Sequence, residues 1–332
     1  MSLSGSVGTD RFDAVPDLDQ IAKYGPVAGL VLLYVFFSIQ SDVFLTVRNQ
    51  VNVLQQVSVI GIMAIGLTFA ILAAEIDLSI AQLMEFTGLL IAVLAVGKSI
   101  PLGLEVPQLA IPLAILVGYV VGIGFGGVAG FITSRFDVPS FMTTLAILFL
   151  ADGLGLMVSG NRPVVNVPEG LILIAGGKTA GLPNIVLLFL ALLIAAQFFL
   201  SYTRFGLYIY ATGGDRDAAE LTGVNVRRVR LGVLMISAMF SVTAGIAMIG
   251  RLSSATPVMG TGLLLPPIAA VILGGADLFG GRGHMLGTLI GVLILGVLAN
   301  GLNLMGVNAP GQLVAQGVVL MIAVLANVVG RE

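Results

Sequence analysis

The sequence contains no cysteine, no tryptophan and a single histidine, and only 10% of its 332 residues are charged. Absence of cysteine excludes disulfides, thiolate nucleophiles and cysteine-ligated zinc or iron–sulfur centres. One histidine argues against a histidine-built metal site or catalytic triad. A soluble domain carries roughly a quarter charged residues, so a water-soluble enzyme is close to excluded. The formal net charge of −2 says nothing useful about nucleic acid, which is not expected as a partner, because in such a chain the charges that matter are sorted by side of a bilayer. What is present is apolar: 58% of the residues are hydrophobic, and the mean hydropathy is +1.09. About ten spans of ~20 residues would use most of that content.

Residues 1–24 hold Asp10, Asp13, Asp17 and Asp19 and lack the apolar core of a signal peptide. They read as a retained N-terminal segment, 1–25. Apolar segments follow at about 26–43, 51–73, 80–97, 108–133, 140–158, 184–202, 231–250, 264–279, 285–303 and 312–329. They predict an all-α polytopic membrane protein with one domain over 26–330, without an internal repeat or dividing linker. With the N-terminus inside, the ten residues Arg11, Lys23, Arg135, Arg204, Arg216, Arg227, Arg228, Arg230, Arg282 and Arg331 lie inside, and the five residues Arg48, Lys98, Arg162, Lys178 and Arg251 lie outside. That excess places both termini in the cytoplasm. The long Gly- and Pro-rich loop 159–183 then faces outward, and the charge-dense loop 203–230 faces inward.

Small residues at four-residue spacing let membrane helices approach closely. Gly118, Gly122, Gly126 and Gly130 form one such ladder, and Gly283, Gly287 and Gly291 another; each reads as helix packing or as a sliding surface in gating. Gly122-Ile123-Gly124 is no nucleotide fingerprint, because no strand precedes it. Gly177-Lys178-Thr179 resembles the end of a P-loop, but Ile172 stands where the loop needs glycine, and the stretch faces outward. The chain is therefore expected to lack a nucleotide site of its own.

Glu75, Asp77 and Glu85 lie within or beside apolar spans, where a carboxylate needs water, a partner or a cavity. Ser79 and Gln82 fit a capping box for a helix starting at Ile80, with Asp77 near its positive end. Glu75, Asp77, Ser79, Gln82 and Glu85 read either as a polar turn or as the lining of a path for a polar solute; proton coupling is a third possibility. In the inner loop, Asp215 suits an N-cap, residues 216–222 can make two helical turns, and Gly223 suits the left-handed stop. Its Ala218, Ala219 and Leu221 fit either a shallow groove on a partner or a loop helix lying on the membrane.

Those residues carry a resemblance. Gly66 through Ile71 with Ile76-Asp77-Leu78-Ser79, the block Tyr208 to Val224 with Gly213-Gly214-Asp215-x-x-Ala218-Ala219-x-Leu221-x-Gly223, then Ile268-Ala-Ala-x-x-Leu-Gly274-Gly275, and Gly280-Gly281-x-Gly283-x-x-x-Gly287-x-x-x-Gly291 resemble permease subunits of ribose/xylose-type ABC sugar importers. The likeness runs in order from about 26 to 329. It implies a type II-like permease of about ten transmembrane helices in a bacterial inner membrane, moving a monosaccharide or small polyol.

The resemblance also implies that Gly213, Gly214, Asp215, Ala218, Ala219, Glu220, Leu221 and Gly223 dock onto a separate ATP-binding cassette subunit, which holds ATP and Mg; this chain would hold no cofactor. A second permease subunit, identical or homologous, and an extracytoplasmic solute-binding protein complete the implied assembly. The chain departs from the pattern at Ala74-Glu75, where relatives typically read Gly-Gly, and at Ala81-Gln82, Leu264, Pro266 and Asp152. The rival reading is an ion-coupled secondary transporter using Glu75, Asp77 or Glu85.

Overall fold

A computed structural model describes residues 18–99 and 105–329. The N-terminal segment expected at 1–25 lies mostly outside the described residues. In chain order the helices are α1 (Leu18–Gln40), α2 (Val47–Leu72), α3 (Ile80–Val96), α4 (Ile111–Phe136), α5 (Ser140–Ser159), α6 (Glu169–Gly176), α7 (Asn184–Tyr202), α8 (Arg204–Gly214), α9 (Arg216–Leu221), α10 (Val226–Leu252), α11 (Leu265–Leu273), α12 (Met285–Leu304) and α13 (Ala309–Val329). Two-residue strands β1 (Lys178–Thr179) and β2 (Leu182–Pro183) form an antiparallel hairpin between α6 and α7.

The long helices follow from continuous apolar runs closed by defined signals. Thr46 caps α2 by accepting from the Asn49 N–H. Gly97 and Gly160 end α3 and α5 in the left-handed conformation, and Asn225 accepts from the Arg228 N–H to start α10. Six helices, α2, α4, α5, α7, α10 and α12, are long and apolar enough to cross a membrane, with α1, α3 and α13 containing shorter apolar stretches. The fold is thus an all-α polytopic membrane bundle.

The eighth expected span is corrected. Within 264–279 only the nine residues of α11 are helical, about 14 Å of rise against a hydrocarbon core of ~30 Å. Pro266 and Pro267 sit in its first turn, and Gly275 leaves it at φ +85°. The chain continues without helix through 274–284 until His284 caps α12 by accepting from the Gly287 N–H at 2.9 Å.

Helices α2 and α10 form the centre: 78% of each apolar stretch is buried, against 28% for α4 and α5. The first glycine ladder faces inward from α4. Side chains at Gly118 and Gly122 would overlap Ile91 and Val242, and at Gly126 and Gly130 they would meet Ala238, the Leu234 carbonyl and the Leu231 backbone. Gly287 and Gly291 face the backbone of α11 at Gly274 and Ala270, while Gly283 faces Ala276 and Leu72. Polar pairs fasten α2 to α12 near both ends. Asn49 and Asn300 exchange two bonds of 2.9 and 3.1 Å, and the Thr68 and Thr288 hydroxyls lie 2.7 Å apart.

Candidate functional site

Two non-helical stretches, 73–79 between α2 and α3 and 274–284 between α11 and α12, meet at the end of α2. Gly281 donates to the Leu72 carbonyl at 3.0 Å, and a side chain on Gly280 would collide with Ala74. The 203–230 segment closes over both. Gly213 lies in the last turn of α8, where a Cβ would overlap the Leu72 carbonyl oxygen and crowd the Gly281 nitrogen, so glycine is required for this approach. The Tyr210 hydroxyl donates to the Gly283 carbonyl at 2.7 Å, and burial raises its pKa.

Short helix α9 is built as its sequence suggests. The Asp215 side chain accepts from the Ala218 N–H at 3.0 Å, and Gly223 lies at φ +87°. Ala218, Glu220 and Leu221 are exposed, Leu221 at 90%. Ala219 departs from the expected docking face: it is 4% exposed and turned into its own chain. A six-residue helix shows one side to the protein and the other to solvent, and Ala219 is on the inner side.

The acids differ from one another. Glu75 is 1% exposed, and its Oε1 accepts from Arg216 at 2.8 Å and Arg230 at 2.5 Å. Arg230, itself buried, also reaches Asp137 in the α4–α5 turn at 2.7 Å, while Arg216 donates a further bond to the Ala74 carbonyl at 3.1 Å. Glu75 Oε2 is buried without a hydrogen-bond partner. This node joins the α2–α3 break, α9, the first turns of α10 and the α4–α5 turn.

Asp77 overturns the expected capping box. Ser79 makes no side-chain cap bond to the start of α3. Asp77 Oδ1 instead accepts from the Ser79 N–H at 2.8 Å and the Ser79 hydroxyl at 2.6 Å, while Oδ2 accepts from Ser237 of α10 at 2.6 Å. Asp77, two residues upstream, thus holds the Ser79 hydroxyl as a donor, and the start of α3 takes no side-chain cap. Serine and threonine of α5 hold the rest of the extended stretch: Ser140 accepts from the Ile76 N–H at 2.8 Å, and Thr144 accepts from the Leu78 N–H and donates to the Ile76 carbonyl, each at 3.1 Å.

Gln82 and Glu85 lie in the first and second turns of α3. Glu85 Oε2 accepts from the Gly260 N–H at 2.7 Å, and Gln82 Oε1 is buried without a partner. The five acceptors proposed from sequence as one lining therefore separate. Glu75 is engaged by arginine through one oxygen and Asp77 and Ser79 by hydroxyl and amide groups, whereas, among the described residues, Gln82 and Glu85 meet no cation and keep unused acceptor capacity. Sequence reasoning missed Arg216, Arg230, Asp137, Ser140, Thr144 and Ser237. One signal was available: an acid at the inner end of an apolar span needs a cation, and Arg216 and Arg230 carry charge on the same expected side.

On the opposite side, residues 159–183 form a folded cap. Leu171 and Ala175 bury α6, Val164 pairs with Ala255, and Arg162, Glu169 and Lys178 are exposed.

Residues 49–325 match the family model for the branched-chain amino acid transport system / permease component. The ribose import permease protein RbsC of Escherichia coli K12 is 40% identical over 302 residues, covering 90% of this chain and 91% of that one. RbsC of Bacillus subtilis 168 is 36% identical over 319 residues, covering 96% and 94%. The xylose transport system permease protein XylH of E. coli K12 is 29% identical over 360 aligned positions, covering 90% and 89%. No solved structure gives a significant match. With a bundle of apolar helices, a family match over most of its length and relatives of this closeness, the chain belongs to the branched-chain amino acid transport system / permease component family and is similar to ribose and xylose permeases.

Proposed function

We propose that the protein is the membrane-spanning subunit of an ATP-driven importer for a monosaccharide or related small polyol, in a bacterial cytoplasmic membrane with both termini cytoplasmic. The observation that carries this reading is the 203–230 segment. It presents an exposed, charged, two-turn helix with Leu221 standing 90% exposed, and it is stitched by Gly213, Tyr210 and Arg216 to both non-helical stretches. A face that is polar, protruding and tied to the core suits a partner that delivers work, here a separate ATP-binding cassette subunit holding ATP and Mg. Ala218, Glu220 and Leu221 are its proposed contacts, flanked by Arg227 and Arg228.

A second permease subunit would complete the path, and a solute-binding protein would dock on the 159–183 cap. Gln82 and Glu85 are the proposed polar lining, because their acceptors suit hydroxyl donors. Transport follows from differential affinity of the ATPase states for two arrangements of the bundle.

The test is co-purification with an ATP-binding subunit and hydrolysis stimulated by a liganded binding protein. Uptake in ATP-free proteoliposomes, driven by a pH gradient and abolished by Glu85→Gln, would overturn the proposal in favour of an ion-coupled transporter.

A further inference from the structure

We infer that Arg216 is the positioning residue through which the 203–230 segment controls the 73–79 break, its ion pair with Glu75 acting as a releasable link; this rests on the importer reading above. Three observations converge. First, Glu75 Oε1 is shared by two arginines of unequal burial: the Arg216 side chain is 39% exposed and that of Arg230 6%. An ion pair open to water is weak, and a buried one is costly to break. Arg230 is further anchored by Asp137, whereas among the described residues Arg216 pairs with no other acid. Displacing α9 therefore parts Arg216 from Glu75 first, and the buried carboxylate stays neutralised by Arg230.

Second, Glu75 Oε2 is buried without a partner. A carboxylate with one oxygen doubly engaged and the other free has a second position ready for a guanidinium. The free oxygen gives the node a second arrangement to adopt, and a two-state element is the physical requirement for a switch that a distant site can bias. Third, Arg216 also donates to the Ala74 carbonyl, and Ala74 lies at φ +58°. Alanine is disfavoured there, so the link holds a strained residue at the start of the break. Gly213, three residues before Arg216, is wedged on Leu72, which fixes the α8 end while leaving α9 to tilt about Asp215.

The absence of cysteine makes a clean test available. Leu78→Cys in the reconstituted permease–ATPase complex reports on the break through its rate of thiol labelling with and without ATP. In the otherwise unchanged complex ATP should alter this rate. Arg216→Gln should shrink the ATP-dependent change at least about fivefold, the low end of coupling between two sites, while hydrolysis persists. Arg216→Lys, which keeps the charge, should restore part of the response, and Arg135→Gln, an exposed charge on the same side, should not affect it.

A full response in Arg216→Gln, or no response to ATP in an assembled and hydrolysing parent complex, would overturn the inference. If Arg216→Gln fails to assemble, Arg216→Lys decides: a response equal to the parent's refutes a fork-dependent link, and a reduced one supports it. If no ATP-binding subunit associates even with the parent chain, the importer reading fails, and the inference fails with it.

Discussion

The node around Glu75 makes a quantitative prediction about its two arginines. Replacing Arg230 with leucine removes the better-buried partner of a carboxylate that is 1% exposed. Breaking such a pair from one side costs about 3–5 kcal/mol. The remaining contact to Arg216, 39% exposed, offsets about 0–1 kcal/mol of it, so the expected loss is roughly 2–5 kcal/mol. Arg216→Leu should cost only about 0–1 kcal/mol, because water already screens that arm.

The double variant Glu75→Leu/Arg230→Leu buries no charge. Asp137, with 87% of its side chain exposed, and half-exposed Arg216 are left to solvent, so most of the loss should be recovered. Unfolding of the detergent-purified permease by SDS, followed by far-UV circular dichroism because there is no tryptophan, gives the stabilities of the parent, Arg216→Leu, Arg230→Leu, Glu75→Leu and the double variant. Equal costs for the two single arginine variants would refute the assignment of Arg230 as the structural arm. A double variant as unstable as the sum of the two singles, within about 0.5 kcal/mol, would refute the pairing itself.

Ala74→Gly should stabilise the chain by about 1 kcal/mol by relieving the left-handed conformation at φ +58°; the same SDS titration measures it. Asn49→Leu, Asn300→Leu and the double variant should give a coupling of about 0.6 kcal/mol and no more than about 1.7, the range for interhelical hydrogen bonds in membranes. Ala219→Glu should cost about 1–3 kcal/mol of stability by overpacking the inner side of α9, whereas Ala218→Glu, on the exposed side, should leave the melting behaviour unchanged and weaken ATPase co-purification. Simultaneous charge reversal at Arg162, Glu169 and Lys178 should raise the Kd of a binding protein for the permease in surface plasmon resonance, while single reversals, each worth about 0–1 kcal/mol, should do little.

Most helices were legible because lipid imposes long apolar runs, and each such run emerged as a helix except the eighth. There, hydropathy averaged over 264–279 hides what the backbone does: Gly275 at φ +85° ends α11 after nine residues, yet glycine does not interrupt an apolar window. The Asp215 cap and the Gly223 stop were readable because both act within a few residues. The cap on α3 was misread because Ser79 satisfies a local pattern, and only the fold shows Asp77 taking that hydroxyl while reaching Ser237, 160 positions away. The same holds for Glu75, whose arginine partners lie 141 and 155 positions along the chain. Charge sorting put both on one expected side but could not predict their contact. The inward turn of Ala219 depends on how α9 is seated, which a six-residue pattern does not encode.

The polar residues of the node acquire a common reason when the backbone is accounted for. Non-helical chain at membrane depth persists only where its amide and carbonyl groups are satisfied within the protein or face a water-filled cavity. In 73–79 the Ile76 N–H, the Leu78 N–H and the Ile76 carbonyl are served by Ser140 and Thr144, the Ser79 N–H by Asp77, and the Ala74 carbonyl by Arg216. Four of these five bonds come from within the bundle, from α5 and from Asp77, which Ser237 of α10 holds in turn. The fifth comes from the 203–230 segment, whose α9 exposes Ala218, Glu220 and Leu221. An unwound stretch held by fixed partners on one side and by a single movable arginine on the other can change shape without unfolding, because losing the Arg216 bond exposes one carbonyl and leaves the rest paired. A helix continuous through 73–79 would satisfy its own backbone and have no use for Arg216, so the break is the feature that gives the inner segment a purchase on the core.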